Sequence, residues 1–373
     1  MVKIYGRQYS RNEIRKYVGE MFQIAGVKGF QLIDGNERGV RGVLVKNGSG
    51  LLYTVLLDRG MDISYAEFKG IPIGWRSPTG DVSPQFFEPY KYGWLRGFYG
   101  GLLTTCGLTY AGAPCIDDGE ELGLHGRISY IPAKNVVYDG IWIDDEYILF
   151  IQGKVGETSM FGPNLVLNRR IETKAGYNKI TIHDSIVNEG FERQPLMIIY
   201  HFNIGFPILD EGSRLYSTSI EYFPRDREAS RDAENFDRFH KPIHGYREKV
   251  YFHKMTTDSN GYAYAGIVNR KINLGIYVKY RVDELNRFIE WKMMGEQFYV
   301  VGIEPSNCLV LGRAREKELG TLQYIEPDEA REFHLEINIL SSREEIDSFI
   351  RLIKRIAPAK PRLVNSLENF IQL

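Results

Sequence analysis

Leu196-Met197-Ile198-Ile199-Tyr200-His201-Phe202-Asn203-Ile204 is the stretch on which the fold turns. It is a short apolar run rich in branched and aromatic residues, with Pro195 before it and Gly205 after it. Such a run reads as a mostly buried strand. Two polar residues interrupt it. His201 and Asn203 lie two apart, so in a strand they share a face, and a purely structural face rarely needs two such groups. A lone buried histidine is also commonly a satisfied core residue, and both readings stand at this point.

Working outward, the same grammar recurs. Gly50 to Leu57, Tyr147 to Val155, Lys179 to Val187, Tyr262 to Val268, Leu274 to Tyr280, Phe288 to Met293, Tyr299 to Ile303 and Phe333 to Leu340 are period-two or short apolar runs bounded by Gly, Asn, Asp or Pro. So many strands with so little helix between them predict antiparallel sheets. Helix signals sit at the ends of the chain. Ser10-Arg11-Asn12-Glu13 is a capping box before Ile14, Tyr17, Val18 and Met21, and predicts a helix over about 10–21. Ser342-Arg343-Glu344-Glu345 opens a second one over about 343–357, with Ile346, Phe349, Ile350 and Ile353 on one face and Pro358 as its stop. No internal repeat or low-complexity linker divides the chain, so residues 1–373 are expected to form a single, mainly β domain.

Composition narrows the function. With 47 basic and 48 acidic residues and a net charge of −1, no global field favours nucleic acid or an anionic membrane. Cys106, Cys115 and Cys308 contain no C-x-x-C pair and leave one thiol over, which reads as a reducing compartment. Charge appears before any apolar leader can form after Met1, and no run approaches the ~18 apolar residues of a membrane span. A cytoplasmic protein with no membrane partner is the expectation. The 24 Tyr, 20 Phe and 4 Trp suit both β-structure and flat platforms for sugar faces. Dinucleotide, Walker, serine-hydrolase and zincin motifs are absent. His240-Lys241-Pro242-Ile243-His244 has a metal-like spacing, but Pro242 disfavours the helix that would stack both rings, so no metal and no cofactor is expected.

Further candidates follow from local context. Glu304 closes the run Val300-Val301-Gly302-Ile303 and precedes Pro305. A carboxylate at a buried strand end is costly unless paired or functional, and burial lifts its pKa toward the range of a general base. A salt bridge at the sheet rim is the structural alternative. Two irregular segments accompany these strands. Pro72 to Gly112, dense in aromatics, serves either as a cleft wall or as a core plug. Pro224 to Arg247, rich in Arg, Asp, Glu and His, reads as a long surface loop with a helical turn, either lining the cleft or simply solvated.

Gly123-Leu124-His125-Gly126, Tyr200-His201-Phe202-Asn203 and Ile303-Glu304-Pro305 resemble, in chain order, the marker segments of aldose 1-epimerases, the galactose mutarotase superfamily. Leu57-Asp58-Arg59-Gly60-Met61-Asp62-Ile63, Arg96-Gly97-Phe98-Tyr99-Gly100-Gly101, Leu124-His125-Gly126-Arg127, Glu248-Lys249-Val250-Tyr251 and Glu304-Pro305-Ser306-Asn307 are closer to a divergent, uncharacterised bacterial branch (DUF4432-like). The resemblance implies a β-supersandwich of large twisted antiparallel sheets with the cleft on a concave face. It also implies an acid at His201, a base at Glu304, support from His125, and a substrate arginine at Arg96 or Arg59, either of which could instead be an ion pair within the sheet. Glu248 stands where the family has an aspartate, so the hydroxyl pattern recognised is expected to differ. Asn203 joins the substrate-binding candidates. The implied ligand is a small-molecule sugar, with a homodimer among the expectations. A non-catalytic sugar-binding protein and a sugar-phosphate epimerase using Arg225, Arg227, Arg231 and Arg238 are the rivals.

Overall fold

A computed structural model describes residues 1–371. In chain order the principal strands are Gly26–Gln31 (β1), Arg41–Lys46 (β2), Leu51–Leu56 (β3), Asp62–Phe68 (β4), Ile71–Pro72 (β5), Leu103–Leu108 (β6), Lys134–Ile143 (β7), Glu146–Thr158 (β8), Asn164–Lys174 (β9) and Lys179–Asn188 (β10). They continue as Met197–Gly205 (β11), Arg214–Ser217 (β12), Ser219–Pro224 (β13), Lys249–Met255 (β14), Tyr262–Asn269 (β15), Leu274–Arg281 (β16), Arg287–Met294 (β17), Tyr299–Ser306 (β18), Ala330–Leu340 (β19) and Arg362–Leu363 (β20).

Three sheets result. One runs β1-β2-β3-β4-β5, a second β7-β8-β9-β10-β19-β16-β15-β12, and a third β6-β11-β18-β17-β14-β13-β20. Pairing is antiparallel throughout, except that β20 joins β13 in parallel. This is the mainly β, large-sheet architecture expected from the strand pattern.

β11 is buried along its whole length because both its faces are covered. Ile198, Tyr200, Phe202 and Ile204 enter the main core beside Leu167, Ile182 and Ile186 of the second sheet. Met197 and Ile199 enter a separate cluster with Trp94, Phe98 and Val250. His201 belongs to that second face, and the cluster there forms the base of the cleft.

Where the sheets meet lies a fully buried ion network. Arg169 on β9 reaches Asp62 on β4 at 2.8 Å and Asp184 on β10 at 2.7 Å, both through its guanidinium nitrogens. Tyr200 donates to Asp184 (2.7 Å), and the Thr105 hydroxyl donates to Asp62 (2.6 Å). Buried charges are tolerable only when paired and hydrogen-bonded in this way.

The C-terminal helix spans Arg343–Ile356, and Ile346, Phe349, Ile350 and Ile353 pack it against Tyr264, Val268 and Leu340. The N-terminal helix is shorter than expected. Its capping box forms, yet only Arg11–Ile14 is helical, followed by a turn and a separate 3-10 turn at Met21–Gln23. Tyr17, assigned to the apolar stripe, is 74% exposed. Ile14 and Val18 remain buried, but the interrupted stripe leaves too little apolar surface to carry the helix beyond its first turn against the cost of nucleation.

Candidate active site

Strand register sets the pocket floor. Phe202 pairs with Ile303, Glu304 with Ile289, and Ile289 with Phe252. His201, Glu304 and Ile289 therefore stand side by side on one face of neighbouring strands. His201 Nε2 lies 3.2 Å from Glu304 Oε1, with their side chains 6% and 2% exposed. One row along, Asn203, Gly302, Trp291 and Val250 are opposite one another. A Cβ at Gly302 would overlap the Glu304 carboxylate and come 3.1 Å from His201 Cε1. The bare glycine is what leaves room for the pair.

His125 arrives from a turn outside the sheet. Its φ of 58° is left-handed, as is the 81° of Gly126 behind it. Its N–H donates to Gly112 O (2.9 Å) and its carbonyl accepts from Gly107 N (3.0 Å). A Cβ on Gly126 would overlap the carbonyl oxygens of Gly107 and Tyr110, so the Gly after the histidine is obligatory. These restraints hold the His125 ring 6.0 Å from that of His201, perpendicular to it, and 4.8 Å from Trp94.

Burial governs the protonation of all three. It pushes His201 down to about 4. His125 falls to about 3, first through burial and then through His201 and Arg225. Glu304 is held well above the usual carboxylate range by burial and by Glu248, with Arg225 pulling the other way. Burial therefore favours the uncharged forms of both His201 and Glu304. Glu304 Oε1, His201 Nδ1 and His125 Nδ1 have no hydrogen-bond partner. Buried polar atoms are normally partnered, and these three residues line the cavity, where a ligand can supply the partner.

One wall is polar. Glu248 accepts from Arg225 Nη2 (2.9 Å) and from Trp291 Nε1 (2.7 Å). Arg225 also donates from Nε to Asp226 (3.0 Å). Trp94, Phe98 and Trp291 supply aromatic surface, and the cavity encloses about 360 Å³. A larger cleft of about 1260 Å³ lies between the N-terminal ribbon and the C-terminal helix. Its only carboxylate is Glu345, whose Oε2 is tied to Ser341, and it contains no histidine.

The structure thus gathers His201, Glu304, His125 and Glu248 around one cavity. It places the other candidates elsewhere. Arg96 lies on an exposed turn 3.1 Å from Glu88 and does not line the pocket. Arg59 is fully buried and donates to the carbonyls of Ser129 (2.6 Å), Val82 (2.6 Å) and Gly97 (2.9 Å), while its guanidinium stacks 4.0 Å from the Tyr130 ring centre. It is a clamp on three loops, and not the ion pair expected as its structural alternative. Asn203 is also buried behind the pocket, donating to the carbonyls of Gly100 (3.2 Å) and His201 (2.9 Å). The pocket arginine is Arg225, which the sequence offered only as one of four arginines in its charged segment that could serve a sugar-phosphate epimerase. Of that segment's other arginines, Arg231 pairs with Glu228 and Arg238 lies 3.9 Å from Asp237, while Arg227 lies outside the pocket lining. His240 and His244 sit on the same excursion, His244 bonded to Glu296 at 2.8 Å. Among the described residues no group of three His, Cys, Asp or Glu is arranged to hold a metal, and no helix is long and apolar enough to cross a membrane.

A family described as "Domain of unknown function (DUF4432)" matches residues 37–339. No curated protein matches the chain. Among solved structures, a Klebsiella pneumoniae protein described as a "putative aldose 1-epimerase" is 25% identical, with a TM-score of 0.87 over 91% of this chain and 90% of that one. A galactose mutarotase-like protein from Clostridium acetobutylicum (15% identity, TM-score 0.57, 84% and 98% covered) shares the fold. So does a galactose 1-epimerase from Lactobacillus acidophilus (13%, 0.57, 85% and 99%). The chain therefore has the galactose mutarotase-like fold.

Proposed function

Starting from a chain that belongs to the DUF4432 family, we propose that it is an aldose 1-epimerase that interconverts the α and β anomers of a sugar by acid–base ring opening. The observation that carries this reading is the buried His201–Glu304 pair at 3.2 Å on the floor of an aromatic-walled cavity.

Mutarotation removes a proton from the anomeric hydroxyl and delivers one to the ring oxygen. The C1–O5 bond breaks, giving an open-chain aldehyde, and rotation about C1–C2 allows closure on the other face. In opening, the pair's exchangeable proton first passes from Glu304 to His201, after which Glu304 takes the O1 proton while His201 gives its own to O5, leaving the pair uncharged again. Closure reverses both transfers, so each group must serve as acid and as base. A pair that holds a single proton between two buried sites suits this cycle, and needs no cofactor to run it. His125, kept neutral by burial, offers its unpaired Nδ1 to a nearby oxygen. Arg225 and Glu248 form a paired donor and acceptor that can hold ring hydroxyls. Because Asp226 and Glu248 both neutralise Arg225, the pocket favours an unphosphorylated sugar over a phosphate ester.

Polarimetry on a panel of freshly dissolved aldoses tests the reading. Glu304→Gln and His201→Asn should each slow catalysed mutarotation by ~10²-fold or more. Sugar-dependent thermal stabilisation without any acceleration would instead indicate a binding protein.

A further inference from the structure

On the premise of the epimerase reading, we propose that the substrate is a deoxy aldose, a sugar with a rim hydroxyl replaced by hydrogen. A fully hydroxylated pyranose presents hydroxyls around its entire rim, and each one that leaves water needs a partner. The polar side chains lining this cavity are Glu304, His201, His125, Glu248 and Arg225, together with the exposed Tyr92, while the Trp94 N–H is spent on Ser129. Glu248 already accepts from both Arg225 and Trp291, and the Trp291 N–H is spent on it. The aromatic rings of Trp291 and Phe98 account for a C–H face of the sugar. Beyond them, and beside Tyr92, Trp94 and Gly112 to Pro114, the lining includes a contiguous aliphatic wall.

That aliphatic wall reaches the reacting groups. Ile289 is the direct cross-strand neighbour of Glu304, and Val250 that of Trp291. Both belong to one buried apolar cluster, onto which Leu124, Val310 and Leu311 pack. All five residues line the cavity. With the anomeric oxygen at Glu304 and the ring oxygen at His201, part of the remaining rim must lie against these side chains. A hydroxyl there would lose water and find no partner, whereas a C–H or a methyl would fit. A site of this kind rejects an added hydroxyl by about ten- to a hundredfold.

The test is NMR measurement of anomer exchange by the full-length protein on matched pairs: galactose with 6-deoxygalactose, mannose with 6-deoxymannose, and glucose with both its 2-deoxy and 6-deoxy forms. The expected result is at least one deoxy sugar exchanged about tenfold or more faster than its parent. If every parent exchanges as fast as its deoxy counterpart, the deoxy assignment is overturned while the epimerase reading stands. If no sugar is exchanged above the uncatalysed rate, the reading fails and this inference fails with it. Leu311→Gln, at a partly exposed position, should shrink the deoxy preference severalfold by supplying a partner. An unchanged ratio would remove this wall from the specificity account.

Discussion

Among single residues, the proposed chemistry depends on how closely Glu304 and His201 approach. Gly302 is the least conspicuous contributor. An alanine there would push its Cβ into the Glu304 carboxylate, so Gly302→Ala should abolish most activity while circular dichroism shows the sheets intact. Retention of full activity would show that the pair tolerates displacement. The protonation directions give a second prediction. His201 gains a proton below about pH 4, leaving two protons on the pair, and Glu304 loses its own only well above the usual range. The profile of kcat/KM against pH should therefore be bell-shaped, rising through about pH 4 and falling on the alkaline side of ordinary carboxylates. The same raised pKa has a cost in stability. Its contribution is present below the normal value of 4.5 and is lost as pH rises through the folded value. Glu304→Gln escapes that loss, so its Tm should match wild type at low pH and exceed it increasingly as pH rises. His201, Glu304 and His125 were legible because each sits in a short local signature. Arg225 was named only as one of four arginines, because its partner Glu248 is brought to it by the pairing of β13 with β14, which places Pro224 opposite Tyr251. Sequence separation alone does not choose among arginines.

At the scale of elements, Leu57 to Ile63 shows a motif whose residues build the scaffold. Asp58 pairs with Arg41, Arg59 clamps three loop carbonyls including that of Gly97 just before Phe98, and Asp62 joins the buried Arg169 network. The resemblance of this segment to the family was informative about architecture, and its charged residues are occupied before any ligand arrives. Removing one partner of the network strands the others away from water. Arg169→Met should therefore lose ~3–5 kcal/mol in urea denaturation, and a change below ~1 kcal/mol would show that the cluster relaxes or takes in water. The charged segment after β13 is likewise anchored. Lys292, buried on the far face of the site sheet, donates to the carbonyls of Asn235 and Arg238 at 2.7 Å each. A sequence rich in Arg, Asp and Glu looks solvated, and nothing local reveals that a lysine more than fifty positions on holds it down.

Across the whole molecule, strand periodicity and the two capping boxes were enough to read large antiparallel sheets with helices toward the ends. The order of strands within sheets was not readable. β11 lies between β6 and β18, partners from opposite sides in sequence, and only their register sets His201 beside Glu304. Long-range pairing leaves no trace in local propensity. The face that β11 turns toward the cleft was marked in sequence by His201 and Asn203, against Ile198, Tyr200, Phe202 and Ile204 on the core face, and the resemblance to known marker segments added the role that polarity alone left open. Ring opening by this buried pair is the chemistry proposed for the protein. Two-dimensional NMR exchange on an equilibrated mixture of anomers, with catalytic amounts of protein, measures that directly. Strong cross-peaks between α and β signals with wild type, absent with Glu304→Gln, are predicted for at least one sugar. Cross-peaks no stronger than those of protein-free solution for every aldose and deoxy aldose tried, or undiminished in the Glu304→Gln variant, would contradict it.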